Sequence, residues 1–410
     1  MSRRRWRLSL VLSVVLALVV AGVGVLATGR ASGEVARSGA GAQTFKVDVD
    51  GHNPAANEAF IAYFPSVVRV HPGDTVVFKM VGNGEPHTVT LGTTTNTLLA
   101  AFEKLTPAQQ NNPPKSIIAL DAKVPNLFPN GPGDAVQSAA NPCFVTSGAP
   151  PAKGRCPKVA QPDFTGQETF YNSGWLNSNQ KFTVHLASGI APGTYRFMCA
   201  LHREGMTGKI VVVPQSAPVA SPAAQFAAGQ KTLKGIEAKL TRAVGLLRQG
   251  KPPIPVTLPG ENVVLAGSGQ PGAGGAITEF GPKVVHIQVG DSVTWWMIGP
   301  HSVTFDSTKT NDDIRRTAPD GTVHINPAAL APAGGPGEPA KAPTGGTQAH
   351  PKFVVVASSS WNGKGFHSSG VFGNSDPPTI EGYKLTFTKA GKYKYICTVH
   401  DNMKGEVDVG

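Results

Sequence analysis

Short alternating apolar segments, separated by turns rich in Gly, Pro and Asp, recur along the chain and predict β-strands. From Phe64 to Phe78 the sequence reads strand, Gly73-Asp74 turn, strand, and from Phe280 to Trp295 it does so again around Gly290-Asp291. Alternation resumes at His87 and at His301, each placed directly after a proline. Helical spacing is clear in one place, where Leu233, Ile236, Leu240, Val244 and Leu247 fall on one face of a segment spanning Ala224 to Arg248. That segment is expected to form an amphipathic helix that covers a sheet edge or spaces what lies on either side. Apolar runs at Lys115–Leu120 and Phe353–Ala357 predict short strands inside longer connections, and Ala331–Ala349 reads as Pro/Gly-rich surface loop.

The strand pattern repeats in a fixed order. Pro86-His87-Thr88-Val89-Thr90 is answered by Pro300-His301-Ser302-Val303-Thr304, and Asn172-Ser173-Gly174-Trp175 by Ser368-Ser369-Gly370-Val371. Gly193-Thr194-Tyr195-Arg196-Phe197-Met198-Cys199-Ala200-Leu201-His202 is answered by Gly391-Lys392-Tyr393-Lys394-Tyr395-Ile396-Cys397-Thr398-Val399-His400. With the Gly-Asp blocks, four motifs recur in one order, which implies two homologous domains. Their expected limits are residues 44–214 and 261–410, joined by a linker at 215–260 that carries the helix. Each domain holds a long insert, near 92–167 in the first and near 306–365 in the second.

Composition agrees with a β-rich chain of long connections: 48 Gly and 35 Pro among 410 residues, with only 15% charged residues. The N-terminus is a separate matter. Arg3, Arg4, Arg5 and Arg7 precede an uncharged apolar run from Leu8 to Ala27, so residues 1–31 read as an export signal with cleavage after Ala31. The arginines loosely resemble a twin-arginine signal. The run of residues 8–27 is also long enough to span a bilayer as an uncleaved anchor. Either way the chain is expected outside the cytoplasm: periplasmic, extracellular or on the outer face of the cell membrane. Residues 1–31 contain five basic and no acidic residues, so without them the formal charge falls from +11 to +6. The remaining positive charge is dispersed, which argues against nucleic acid. It fits either a weakly positive docking face for an acidic partner or a merely solvated surface.

The candidate chemistry lies in the repeated blocks. Cys199, His202 and Met206, with His87 from about 110 residues earlier, supply one soft thiolate, two imidazoles and a thioether. Two histidines and a cysteine in a trigonal plane under a weak axial methionine form the electron-transfer site of blue copper. His301, Cys397, His400 and Met403 offer the same set, with the loop one residue shorter between histidine and methionine. Two type 1 coppers are therefore expected, with unequal potentials. The alternatives are that each cysteine is a small core hydrophobe, that Cys199 pairs with Cys397, or that the methionines only pack. Cys143 and Cys156, in a Pro/Gly/Ala-rich stretch of an exported chain, are expected to form a disulfide; the rival is a soft metal site. His52, His71, His185, His286, His324 and His350 have no partners at metal spacing. His367 adjoins the Ser-Ser-Gly block, but its first-half counterpart is Tyr171.

The segment from Tyr395 to Gly405 resembles the amicyanin ligand loop, and Cys199 to Gly208 resembles a plastocyanin loop shortened by one residue. On these motifs the chain resembles the cupredoxins, over about 90–100 residues of each half. The resemblance implies all-β architecture: two tandem Greek-key sandwiches, here with long loop inserts and a short linker helix. It further implies copper near one end of each sandwich, redox protein partners, and electron exit through His202 and His400. Nitrite reductases and multicopper oxidases among such relatives place a histidine beside the thiolate ligand, and oxidases use His-x-His pairs. Here Met198 and Ile396 stand beside the cysteines and no His-x-His occurs, so a carrier rather than an enzyme is expected. Asn83 and the residues around Pro86 are expected to steady the first ligand loop. The position before His301 has Met297–Gly299 instead.

Overall fold

The computed structural model of the chain describes residues 41–53, 56–82, 87–124, 135–136, 162–252, 257–269, 274–307, 315–317, 323–325, 352–373, 379–400 and 402–410. The N-terminal segment 1–31, Cys143 and Cys156 with their expected disulfide, Asn83, Pro86 and the loop 331–349 lie outside the described residues.

The first half contributes β1 (Thr44–Val49), β2 (Glu58–Ala59), β3 (Tyr63–Phe64), β4 (Val67–Val70), β5 (Thr75–Met80) and β6 (Thr90–Leu91). Helices α1 (Thr93–Phe102), α2 (Pro107–Asn111) and α3 (Lys115–Asp121) follow, then β7 (Ala135–Val136), β8 (Tyr171–Asn172), β9 (Lys181–His185), β10 (Gly193–Cys199) and β11 (Arg203–Val212). Helix α4 (Pro222–Arg248) leads to β12 (Val263–Gly269), β13 (Ala276–Gly281), β14 (Val284–Ile287), β15 (Ser292–Met297) and β16 (Thr304–Phe305). The chain ends with β17 (Arg315–Thr317), β18 (Val323–Ile325), β19 (Lys352–Trp361), β20 (His367–Ser368), β21 (Thr379–Phe387), β22 (Gly391–Ile396) and β23 (Lys404–Val409).

Two sheets of the first half, β3-β1-β5-β9 and β4-β11-β10-β6-β8, close over one core. The alternation in β1 sets its face: Phe45, Val47 and Val49 are buried and Thr44 and Lys46 exposed. Phe78 from the first sheet and Phe197 and Ile210 from the second meet them. Burying each such side chain stabilises the fold by about 1.5–3 kcal/mol. The second half repeats the plan. Sheet β14-β23-β22-β16-β20 matches the first half's five-stranded sheet, and β21-β15-β12-β13 matches its four-stranded one. β1 runs parallel to β5 as β12 does to β15, and β4 parallel to β11 as β14 does to β23. Such non-consecutive neighbours are what a Greek-key path produces. The strand pairing therefore follows one β-sandwich plan in both halves, in keeping with the repeat in the sequence.

The halves differ at the edges. β19, the strand expected at Phe353–Ala357, lies parallel to β21, and at the opposite edge β2 crosses from the first half to pair with β13. Backbone pairing of β7 with β18 also joins the two inserts. Lys115–Leu120, by contrast, is helix α3 rather than a strand. Only Ile117 of its two isoleucines is buried, with Leu120 one turn on partly buried beside it, and both pack on α1 through Leu98 and Leu99. Pro114, in extended conformation, starts the helix.

Helix α4 forms where its apolar periodicity places it. Ser221 caps it by accepting a hydrogen bond from the Ala224 amide, and Pro222 opens the first turn. It is wedged between the halves: Leu240, Val244 and Leu247 are buried among Phe60 and Phe64 of the first and Leu265, Ile277 and Trp296 of the second. No helix among the described residues is long and apolar enough to cross a membrane.

Candidate metal centres

At one end of the first sandwich β10 ends at Cys199 and a tight loop returns into β11. Arg203, the first residue of β11, takes a left-handed conformation, and the β10–β11 register shifts between Met198 and Cys199. His87 enters from the opposite side, held by mutual backbone hydrogen bonds with Leu176. His87, Cys199 and His202 each bring one donor atom within 4.8 Å of the others. His87 Nδ1 lies 3.6 Å from Cys199 Sγ, and the two imidazole centroids are 5.0 Å apart. Cys199 and His87 are fully buried, while His202 is partly exposed. Met206 is fully buried in the same core as Cys199.

The second sandwich builds the same group from His301, Cys397 and His400. Nδ1 of His301 and Nδ1 of His400 lie 3.8 and 3.6 Å from Cys397 Sγ. His301 bonds reciprocally to the Phe372 backbone as His87 does to Leu176. Met403 is buried with Cys397, its carbonyl accepting from the Cys397 amide at 3.0 Å. Supporting contacts repeat as well. The Thr88 and Ser302 amides donate to the two sulfurs at 3.4 Å, and the side-chain hydroxyls of these residues accept from the amides of Ala200 and Thr398. Ser173 and Ser369 hydroxyls accept from Val89 and Val303, which is what the repeated Ser-Gly block is for.

These donors fit a copper ion. A nitrogen and a thiolate sulfur at ordinary metal distances in a trigonal plane lie about 3.7 Å apart, and the N–S separations here are 3.6 to 3.8 Å. The thiols are prepared as ligands. Burial pushes Cys199 up, but His202 and His87 outweigh it and hold it well below the usual thiol range. His301 and His400 do the same for Cys397 against the same burial.

The outer partners differ between the centres. His87 Nε2 faces the carboxylate of Asp50 at 3.3 Å, with both side chains fully buried. His301 Nε2 instead faces the Ile298 carbonyl at 3.2 Å. Burial pulls His87 down, but Asp50 and Cys199 together hold it well above the ordinary imidazole value. For His301 burial prevails and the shift is downward. Asp50 itself is pushed up by burial, against the pull of His87 and two backbone N–H groups. The register explains the asymmetry. Val49 pairs with Met80 and Ala266 with Met297, so Asp50 and Gly267 follow equivalent strand positions, both left-handed.

Each ligand loop is also held by an element outside its own sandwich core. Arg203 donates to the carboxylate and carbonyl of Asp121 at the end of α3, while Met198, next to Cys199, packs on Leu98, Leu99 and Ile117. At the second centre the Asn57 side chain, from the first half, donates to the Asn402 carbonyl at 2.8 Å. Asp50, Asn57 and Asp121 were not singled out in the sequence. Their partners lie 37 to 345 residues away, and no local spacing marks them.

Several other described histidines have partners away from the two centres. His71 contacts the Ala217 carbonyl, His185 the Thr75 hydroxyl and His286 the Asp408 carboxylate. His367 bonds to Tyr383 at 2.7 Å and stands in β20 where β8 has Tyr171, the counterpart expected from sequence.

Solved structures similar to this chain include auracyanin from the photosynthetic bacterium Roseiflexus castenholzii. Identity is 19%, the likeness covers 43% of this chain and 100% of that one, and the TM-score is 0.24. Auracyanin A from Chloroflexus aurantiacus, a "blue" copper protein, is 17% identical over 42% of this chain and 98% of its own, with a TM-score of 0.19. A Cu(I) mutant of amicyanin is 19% identical over 38% of this chain and 86% of its own, with a TM-score of 0.16. No protein-family model matches the chain, and no curated protein matches it.

Proposed function

We propose that this is an exported carrier of single electrons with two mononuclear type 1 copper centres, one held by His87, Cys199, His202 and Met206 and the other by His301, Cys397, His400 and Met403. The observation that carries the reading is the convergence, twice, of one buried thiolate and two imidazoles at N–S separations suited to a trigonal copper site. Bound copper supplies a one-electron couple whose geometry changes little between oxidation states. The chain supplies the rest. Amides of Thr88 and Ser302 donate to the sulfurs, and Asp50 and the Ile298 carbonyl orient His87 and His301. The cores around Cys199 and Cys397 exclude water.

His202 and His400 are the exits to redox protein partners. His202 is partly exposed whereas His400 is 8% exposed, which favours the first centre as the more open docking edge. A carrier is preferred to an oxidase or reductase because Met198 and Ile396 occupy the positions where a histidine would wire the thiolate to a second metal. A copper-carrying surface protein without redox exchange is the competing class.

Purified chain loaded with cupric ion is expected to bind two coppers, turn intensely blue and bleach reversibly with reductant. Colourless binding of copper, with no reversible bleaching, would favour the competing class.

A further inference from the structure

Between β1 and β3 the first half sends out an excursion, described over residues 50–53 and 56–62, that leaves its own sandwich and joins the other. At its start Asp50 faces His87, a ligand of the first centre, at 3.3 Å. The other oxygen of the same carboxylate accepts from the amides of Gly51 and Phe60, both at 2.6 Å, and so clasps the excursion at its two ends. Gly82 gives the carboxylate room, since a Cβ there would collide with it, and Gly51 gives room to the Phe60 ring.

In the middle, β2 extends the second half's sheet, Asn57 donates its amide to Glu279 at 2.9 Å, and the Asn57 carbonyl accepts from Thr278 at 2.9 Å. The Asn57 side chain reaches Asn402, which lies between His400 and Met403 and is left-handed. Asp50 and Asn57, seven residues apart, therefore touch an imidazole of the first centre and the ligand loop of the second. Among the described residues the second half shows no matching device: Gly267 stands at the register position of Asp50 and packs directly on the His301 ring.

We propose that residues 50–53 and 56–60 act as a strap that steadies both ligand shells at once, so that metal at the first centre orders the ligand loop of the second. This rests on the reading of the two donor groups as metal centres. Fixing His87 fixes Asp50, Asp50 holds both ends of the strap, and the strap presents Asn57 to Asn402. By linkage the effect is reciprocal: whatever the first centre does for the second, the second does for the first.

The test uses the full chain carrying Cys397→Ser and His301→Ala, in which only the first centre keeps its donors, with Co(II) as the probe. Thiolate-to-cobalt absorption shows that this centre fills, and hydrogen exchange reads the backbone. Filling is expected to slow amide exchange at residues 51–60 and also at 402–405. Adding Asn57→Ala should abolish the slowing at 402–405. Adding Asp50→Asn should abolish it in both segments and weaken cobalt binding about 10- to 100-fold, the usual effect of losing an outer partner of a metal-bound histidine. If Asp50→Asn fails to fold, Asn57→Ala alone decides.

Protection confined to the surroundings of His87, with 402–405 unchanged, would overturn the strap while leaving the metal centre intact. Absence of the cobalt–thiolate band would overturn the metal reading, and the strap with it.

Discussion

At the residue scale, the axial methionines and one buried carboxylate give distinct expectations. If Met206 and Met403 are weak axial ligands, changing Met403 to Leu should leave the blue colour and raise the potential of that centre, because oxidised copper loses a sulfur donor. Voltammetry that finds the potential unmoved would reduce Met403 to packing. Glu58, on β2, is pushed up to about 7, first by burial and then by Glu237 and Glu279, against Asn53 and Arg248. A carboxyl raised in the folded state holds its proton more tightly there than when unfolded, so its stabilising contribution is full below pH ~4.5 and is lost as pH rises to about 7. Glu58→Gln keeps the uncharged form. Its melting temperature relative to the parent protein should climb between pH 4.5 and 7 and level off above; a flat difference would contradict the buried placement. The ligands themselves were legible in the sequence because thiolate, imidazole and thioether fall within eight residues of each other in each loop. Asp50 was not. A carboxylate two positions before an unrelated histidine carries no motif, and only the fold brings it to His87.

At the scale of elements, α4 makes opposite expectations for glycines of one helix. Replacing an exposed helical glycine with alanine ordinarily stabilises by about 0.8–1 kcal/mol. Gly235 and Gly245 face open space, so Gly235→Ala and Gly245→Ala should each gain close to that in chemical denaturation. Gly229 is buried against Phe64 and Pro65, where a Cβ would lie within 2.7 Å of backbone carbon, so Gly229→Ala should destabilise instead. Equal stabilisation at all three positions would contradict the docking of α4 on β3. This helix was legible because a single apolar stripe of five residues sits on one face. Helix α3 was not: two adjacent isoleucines in a six-residue run suit a strand as well as a helix, and the choice is made by Leu98 and Leu99 on α1. The repeat made the paired sandwiches legible, whereas β2, two residues long, has meaning only through its partner β13 in the other half.

At the scale of the molecule, the two sandwiches share a third core. Phe60, Phe64, Leu240, Leu247, Leu265, Ile277 and Trp296 come from both halves and the helix between them. Leu247→Ala, at a fully buried position, should cost about 2–5 kcal/mol and lower the thermal stability of both halves together, as seen by calorimetry. Loss from one half alone would show that the shared core does not couple them. The sandwiches also bring the donors together without either half borrowing a ligand from the other, so each centre should keep its own chromophore when the thiolate of the other is removed. The decisive measurement is the visible absorption of copper-loaded Cys199→Ser and Cys397→Ser proteins, each with its copper content. Each substitution is expected to remove about half of the blue band and one copper, and to leave the redox wave of the other centre in place. Full blue absorption surviving in either variant, or none remaining in both, would contradict two coppers each bound by its own thiolate.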